Sequence, residues 1–190
     1  GNDYEIYRAQ PIAGLEPDSW AATYGNEGDE TGISVEQTGD GGFIIAGSKS
    51  TSYEEDVWVI KTDADGALEW QRTYGGVGDE AAVIRQTDDS GFILAGSTDS
   101  FGAGGSDIWV LKLSASGDVQ WQKAFGGAGS DRAADIREHA CGDGFILAGI
   151  TDSYGSGLED IWMIRLDADG DIEWQRTFGT AESEKATSVI

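Results

Sequence analysis

The chain has 190 residues, with 12 basic and 35 acidic side chains and a formal net charge of −23. At 39% hydrophobic residues and seven Trp it can bury a sizeable core, which argues against a disordered chain. The acidity argues against nucleic acid and anionic membrane surfaces as partners, since both are bound by neutralising phosphates with Lys and Arg. No run approaches the ~20 apolar residues of a membrane span. The lone Cys141 excludes an intrachain disulfide and a Cys-rich zinc site. The sequence opens on Gly1 rather than Met, so any signal peptide is expected to have been removed, and export is left open.

From Trp20 onward the chain repeats. Units run over 20–69, 70–120 and 121–173, with lengths of 50, 51 and 53 residues, and a fourth opens at Trp174 and stops at Ile190. Each reads W-x-x-x-[YF]-G, a Gly-rich acidic turn, G-F-I-[IL]-A-G, D-[VI]-W-[VM]-[IL], and a Gly turn leading to the next Trp. The distance from Trp58, Trp109 or Trp162 to the next opening Trp is 12 residues every time, while the other spacings vary. One hairpin is therefore fixed in length, and surface connections absorb the insertions.

In the second unit the expected strands are A around Ala82-Val83-Ile84-Arg85, B over Phe92–Gly96, C over Ile108–Leu111 and D over Val119–Gln122. Strands B and C are continuous apolar runs, as expected of strands covered on both faces. Strand D alternates apolar and polar, the mark of a half-exposed strand. Helix is disfavoured, because Gly recurs every few residues and no apolar face recurs at 3.6 spacing. The A–B turn, Thr87 to Gly91, and the C–D turn, Ser114 to Asp118, have the Asp, Ser and Gly chemistry of hairpins. A four-stranded antiparallel unit repeated every ~40–50 residues is a propeller-blade signature, so the expected class is all-β, a β-propeller domain or arc over 1–190.

The segments Gly75-Gly76-Val77-Gly78-Asp79-Glu80, Gly41-Gly42-Phe43-Ile44-Ile45-Ala46-Gly47 and Asp56-Val57-Trp58-Val59-Ile60-Lys61-Thr62-Asp63 resemble the secreted β-propeller repeats of bacterial and archaeal surface proteins. The stretch Leu166 to Trp174 is similar to the tryptophan-docking motif of quinoprotein-type propellers. The resemblance covers everything from Trp20 and implies a blade architecture and an extracellular or cell-surface setting. It brings no catalytic residue, and the vicinal Cys pair of quinoproteins is missing.

The ends are expected to be partial blades. Residues 1–19 read as a degenerate C–D pair, with Glu5-Ile6-Tyr7-Arg8 in the place of Asp107-Ile108-Trp109-Val110. Lys185 to Ile190 sits where a final strand A belongs, for 15 strands in all. Three outcomes are open: a piece of a longer propeller, closure of the chain on itself as four blades, or rings made from several copies. An open arc would leave large apolar faces that soluble monomers rarely carry.

Candidate chemical groups recur with the repeat. Trp58, Trp109 and Trp162 on strand C, and Trp20, Trp70, Trp121 and Trp174 on strand D, can be a sugar-stacking platform, but a residue present in every unit suits blade-to-blade packing. Asp63 and Asp65, and Asp167, Asp169 and Asp171, have the D-x-D-G spacing that brings carboxylates around Ca²⁺. The middle unit has Ser114 and Ser116 instead, which favours a plain hairpin turn. The same weighing applies to Asp29, Asp79 and Asp131. The Gly clusters at 75–78 and 126–129 lack the following helix and Lys of a phosphate loop. They are expected to be tight crossings where Gly permits positive φ. In the third unit His139 and Cys141 could form a Cys–His nucleophile pair, but near a turn their i, i+2 spacing does not guarantee a shared face and the sequence identifies no orienting acid, which favours drift in a tolerant loop. The expected function is a non-catalytic exported scaffold or recognition module with a protein or glycan partner. The alternatives are a self-assembly module completed by a neighbouring chain and a glycan-active enzyme using acids on the turns.

Overall fold

The structure, a computed structural model, describes residues 21–25, 28–51, 54–76, 80–139 and 142–189. It is all-β: twelve strands form three four-stranded antiparallel sheets, with no α-helix among the described residues. The first sheet contains β1 (Glu30–Gln37), β2 (Phe43–Thr51), β3 (Glu54–Thr62) and β4 (Leu68–Tyr74). The second contains β5 (Glu80–Gln86), β6 (Phe92–Thr98), β7 (Asp107–Leu113) and β8 (Val119–Phe125). The third contains β9 (Asp131–Glu138), β10 (Phe145–Thr151), β11 (Asp160–Leu166) and β12 (Ile172–Phe178). Within each sheet the strands pair in sequence order, so every connection is a hairpin. The expected strands A to D of the second unit are thus β5 to β8. The C–D pair expected in residues 1–19, and Trp20, lie outside the described residues.

The sheets stack face to face, which explains the uniform apolar runs. On β6, Phe92 and Leu94 join a cluster with Ile44, Ala46, Val57 and Val59 of the first sheet. The intervening Ile93 and Ala95 join Ile136, Phe145, Leu147 and Ile164 of the third. Period-two alternation therefore serves two cores rather than a core and solvent, so both sets are apolar. Strands β5 and β9 open their units and lie over the preceding sheet: β5 packs on β1, β2 and β3, and β9 on β5, β6 and β7.

The hairpin turns match their sequences. Gly66, Gly117 and Gly170, the C–D turn glycines, have φ of 73°, 80° and 79°. In the A–B turns Gly41 and Gly142 take φ of 86° and 69°, but the second unit has Ser90 there at φ 64°. A side chain in the left-handed region costs stability that Gly avoids. Ser90→Gly is expected to stabilise the protein by about 0.5–1 kcal/mol, measured by urea denaturation.

Two expectations are corrected. Gly75, Gly76, Gly126, Gly127 and Gly129 do not have positive φ. Gly76, Gly126, Gly127 and Gly129 are glycines because the chain passes too close to its neighbours: a β-carbon on Gly127 would sit 2.8 Å from Ser153 Cβ, and one on Gly76 2.7 Å from Ser100 Cβ. The final strand A is not formed either. Residues 185–189 carry no strand, although the segment follows the route of β9: Glu184 N donates to Glu159 O at 2.8 Å, as Asp131 N donates to Ser106 O at 2.6 Å. A strand A is held by the strand B that folds back on it, and none follows among the described residues.

Candidate functional site

The leading candidate metal acid of each C–D turn, Asp63 or Asp167, is used by its own turn. Asp63 Oδ1 accepts from Asp65 N at 3.0 Å and Ala67 N at 2.7 Å. Asp167 Oδ1 accepts from Asp169 N at 3.0 Å and Asp171 N at 2.8 Å. In the middle unit Ser114 Oγ takes the same place and accepts from Asp118 N at 3.1 Å. The turn therefore needs an oxygen at its first position, not a charge. Asp171 instead reaches Lys123 of the preceding sheet at 2.7 Å, and Asp118 reaches Arg72 at 3.0 Å. Asp65 and Asp169 contribute their backbone N–H groups to these turns. Among the described residues no three His, Cys, Asp or Glu side chains converge as a metal cluster.

The strand-C tryptophans are buried: Trp58, Trp109 and Trp162 are 7%, 2% and 2% exposed. Their indole N–H groups donate to Gln71, Gln122 and Gln175 on the adjacent strand D, at 3.0, 3.3 and 3.1 Å. On strand D, Trp70 meets Phe92 edge-on at 5.9 Å and Trp121 meets Phe145 at 5.8 Å. Both contacts join one sheet to the next. Trp174, the third of this series, has no such Phe among the described residues and is 41% exposed, beside Ile172 and Phe178 on the same strand.

A cation clamp that sequence reasoning missed closes the other end of each sheet. Lys61, Lys112 and Arg165 occupy the same position near the end of strand C and are almost fully buried. They pair with the A–B turn acids Asp40, Asp89 and Asp143 at 2.9, 2.8 and 2.8 Å. Burial opposes ionisation of Asp89, but the Lys112 ammonium, the Thr87 hydroxyl and the Gly91 N–H pull its carboxyl down to about 2. Asp40 is held well below the usual range by Thr38, Lys61 and Gly42, and Asp143 is lowered by His139 and Arg165. Depressed carboxyls stabilise the fold above their unfolded value of ~4, and that stability disappears as pH falls through the folded values. The melting temperature is expected to drop between about pH 4 and 2. Asp89→Asn should be less stable at neutral pH and show a shallower acid limb in a thermal-melt series. These turn carboxylates are half exposed, so each effect is small.

The remaining candidates have their own partners. His139 Nδ1 lies 2.7 Å from Asp143 Oδ1 on an exposed turn, while Cys141 lies outside the described residues. Arg85 and Arg137 sit on the opening strands of adjacent sheets and share Asp135, which is buried: Arg85 Nη2 is 2.9 Å from Oδ1 and Arg137 Nε 3.6 Å from Oδ2. Arg85 also donates to Ser34 Oγ at 3.2 Å, and Val189 N donates to Asp135 Oδ2 at 3.3 Å. The network ties β1, β5, β9 and the C-terminal segment together. A cleft of about 390 Å³ between the first and second sheets is lined by Lys61, Asp40, Glu69, Gln86 and Phe92. Its one ammonium is already held by both acids, Asp40 and Glu69, at 2.9 Å.

The most unusual chemistry is at the sheet junctions. Asp107 opens β7 and Asp131 opens β9, and the two are 1% and 0% exposed. Both carboxylates crowd Gly126: a β-carbon there would overlap Asp107 Oδ1 and lie 2.8 Å from Asp131 Oδ2. Asp107 Oδ2 accepts from Ala103 N at 2.7 Å. Asp131 Oδ2 accepts from Gly127 N at 3.0 Å and Ser153 Oγ at 2.5 Å. The Oδ1 atom of each is buried without a hydrogen-bond donor. No Lys, Arg or His pairs with either acid among the described residues. Burial pushes the Asp107 carboxyl up, Ala103 N–H opposes, and Asp131 and Asp99 push further. One junction later, Asp160 and Glu184 meet in the same way beside Gly179. The sequence carries a signal for this, the Asp that opens each D-[VI]-W segment, but not the partner it meets.

No helix among the described residues is long and apolar enough to cross a membrane. In comparisons with known proteins, no family model and no curated protein matches the chain.

Proposed function

We propose that the chain is a non-catalytic scaffold and recognition module of the β-propeller type, exported to the cell surface, and that it assembles through the open face of its third sheet. The observation that carries this reading is the contrast within one residue series. Trp70 and Trp121 are covered by the next sheet's Phe, whereas Trp174, Ile172 and Phe178 present an apolar strip to solvent. The charges repeat the contrast. Arg72 and Lys123 pair with an acid on the next sheet's C–D turn, while Arg176 lies over the Trp174 ring at 5.7 Å. The face is thus matched in shape and charge to another unit of the same repeat, and the occupant is a second copy of this chain. Contacts between two different faces of identical copies are heterologous, and they build rings where the rotation closes. Export follows from the resemblance of the repeat.

Light scattering across a concentration series tests it. The wild-type chain should grow in mass with concentration, and Trp174→Glu should hold it at one copy without lowering the melting temperature of the dilute protein. A chain that stays at one copy at every concentration overturns the assembly reading.

A further inference from the structure

Two carboxylates removed from water and pressed together without a basic side chain are costly, because each charge loses hydration and repels the other. Something positive must offset them. At the junction of the second and third sheets Asp107 Oδ1, which has no donor, is the atom that crowds Gly126, and the Asp131 carboxylate reaches the same point with Oδ2 while its Oδ1 is buried without a donor.

The first sheet indicates what is missing. In each sheet the acid opening strand A, the end of strand B and the Asp opening strand C fall in one row across the ladder. The rows are Glu30, Lys49, Asp56 in the first sheet, Glu80, Thr98, Asp107 in the second, and Asp131, Thr151, Asp160 in the third. Where the first sheet has an ammonium, with Lys49 Nζ 3.9 Å from Glu30, the other two have a buried neutral Thr. The acids are retained and the built-in cation is lost.

We propose that Asp107 and Asp131 together hold a divalent cation of the calcium class at the seam between the second and third sheets. All the donors there are oxygens, with no Cys or His, which selects a hard cation over zinc or copper. Calcium suits the place better than magnesium, because it accepts an irregular set of carboxylate, carbonyl and water oxygens. The cation would fasten the head of β7 to the head of β9, and with them the crossing at Gly126 and Gly127. The pair Asp160 and Glu184 at the next junction is not part of the site, because both Glu184 oxygens already accept from Thr180. The site is separate from the D-x-D-G turns, whose leading acids Asp63 and Asp167 are engaged as turn caps.

The test uses the whole chain, stripped with a chelator and titrated with Ca²⁺, with Tb³⁺ as a luminescent substitute. Wild type should show binding heat and a melting temperature that rises roughly 3–5 °C for each tenfold of Ca²⁺ beyond the midpoint. Tb³⁺ should be sensitised by Tyr154, whose hydroxyl donates to Gly126 O at 2.8 Å. In Asp131→Asn and Asp107→Asn the heat and the shift should fall at least tenfold. Without metal both variants should melt above wild type, because one of two like charges is gone. The double variant Asp65→Asn, Asp169→Asn should respond as wild type does. Wild-type protein with no heat and no shift at 10 mM Ca²⁺, about tenfold above the ~1 mM weak limit for such sites, overturns the proposal, since a shared proton would then be what balances the pair. It is equally overturned if the response survives Asp107→Asn or disappears in the turn variant. The wild-type titration decides even if a junction variant does not fold.

Discussion

Phe145→Ala is expected to cost about 3–5 kcal/mol, the range for truncating a buried aromatic. Phe145 is 3% exposed, packs with Ile93, Ile108 and Val110 of the second sheet, and meets the Trp121 ring edge-on at 64°. The loss combines the transfer of the ring with a cavity that two stiff sheets close poorly. Against a total stability of ~5–15 kcal/mol this is a large fraction. Phe178, which is 47% exposed at the matching end of the open face, supplies the control. Phe178→Ala should change stability by no more than about 0.5 kcal/mol in the dilute protein. Urea denaturation of the two variants gives the comparison. Equal losses would mean that the third sheet's face is covered in solution in the way the other two are.

The contrast also shows what the sequence made legible. Strands β6, β7, β10 and β11 could be located because their apolar runs are bounded by Gly and Asp turns, and a strand buried on both faces admits only apolar residues. Strand β5 was less distinct, because it lies across the preceding sheet and its Ala and Arg positions answer to that neighbour. The repeat located the tryptophans but not their different fates: Trp121 and Trp174 hold the same repeat position, each followed by Gln and a basic residue, and among the described residues only Trp121 has another sheet packed against it. The junction acids were hidden for a related reason. Asp107 and Asp131 are 24 residues apart and in different units, and they meet only because the sheets stack. The D-x-D-G turns, by contrast, gave a strong local pattern whose first acids, Asp63 and Asp167, cap the turn backbone. Local spacing carried the hairpins, while the chemistry between sheets depends on contacts that no single unit contains.

The glycines of the crossings give the second large effect. Gly126→Ala is expected to destabilise by at least about 2–3 kcal/mol, through overpacking against two buried carboxylates, one of which is displaced from its donor. The added methyl would overlap Asp107 Oδ1 and lie 2.8 Å from Asp131 Oδ2, so one carboxylate must move. Moving Asp107 takes Oδ2 away from Ala103 N and strains the 102–107 connection. Gly32→Ala is the counterpart: nothing lies within 4 Å of its β-carbon position and its φ is not positive. There the substitution should be neutral or stabilising by up to ~1 kcal/mol, because it restricts only the unfolded chain. A double-mutant cycle of Gly126→Ala with Asp107→Ala measures the clash itself, since removing the carboxylate should recover much of the loss. If the two losses simply add, Gly126 is required for its backbone conformation and not for the room it leaves the acids. The φ at this position, which any residue can adopt, points to the room.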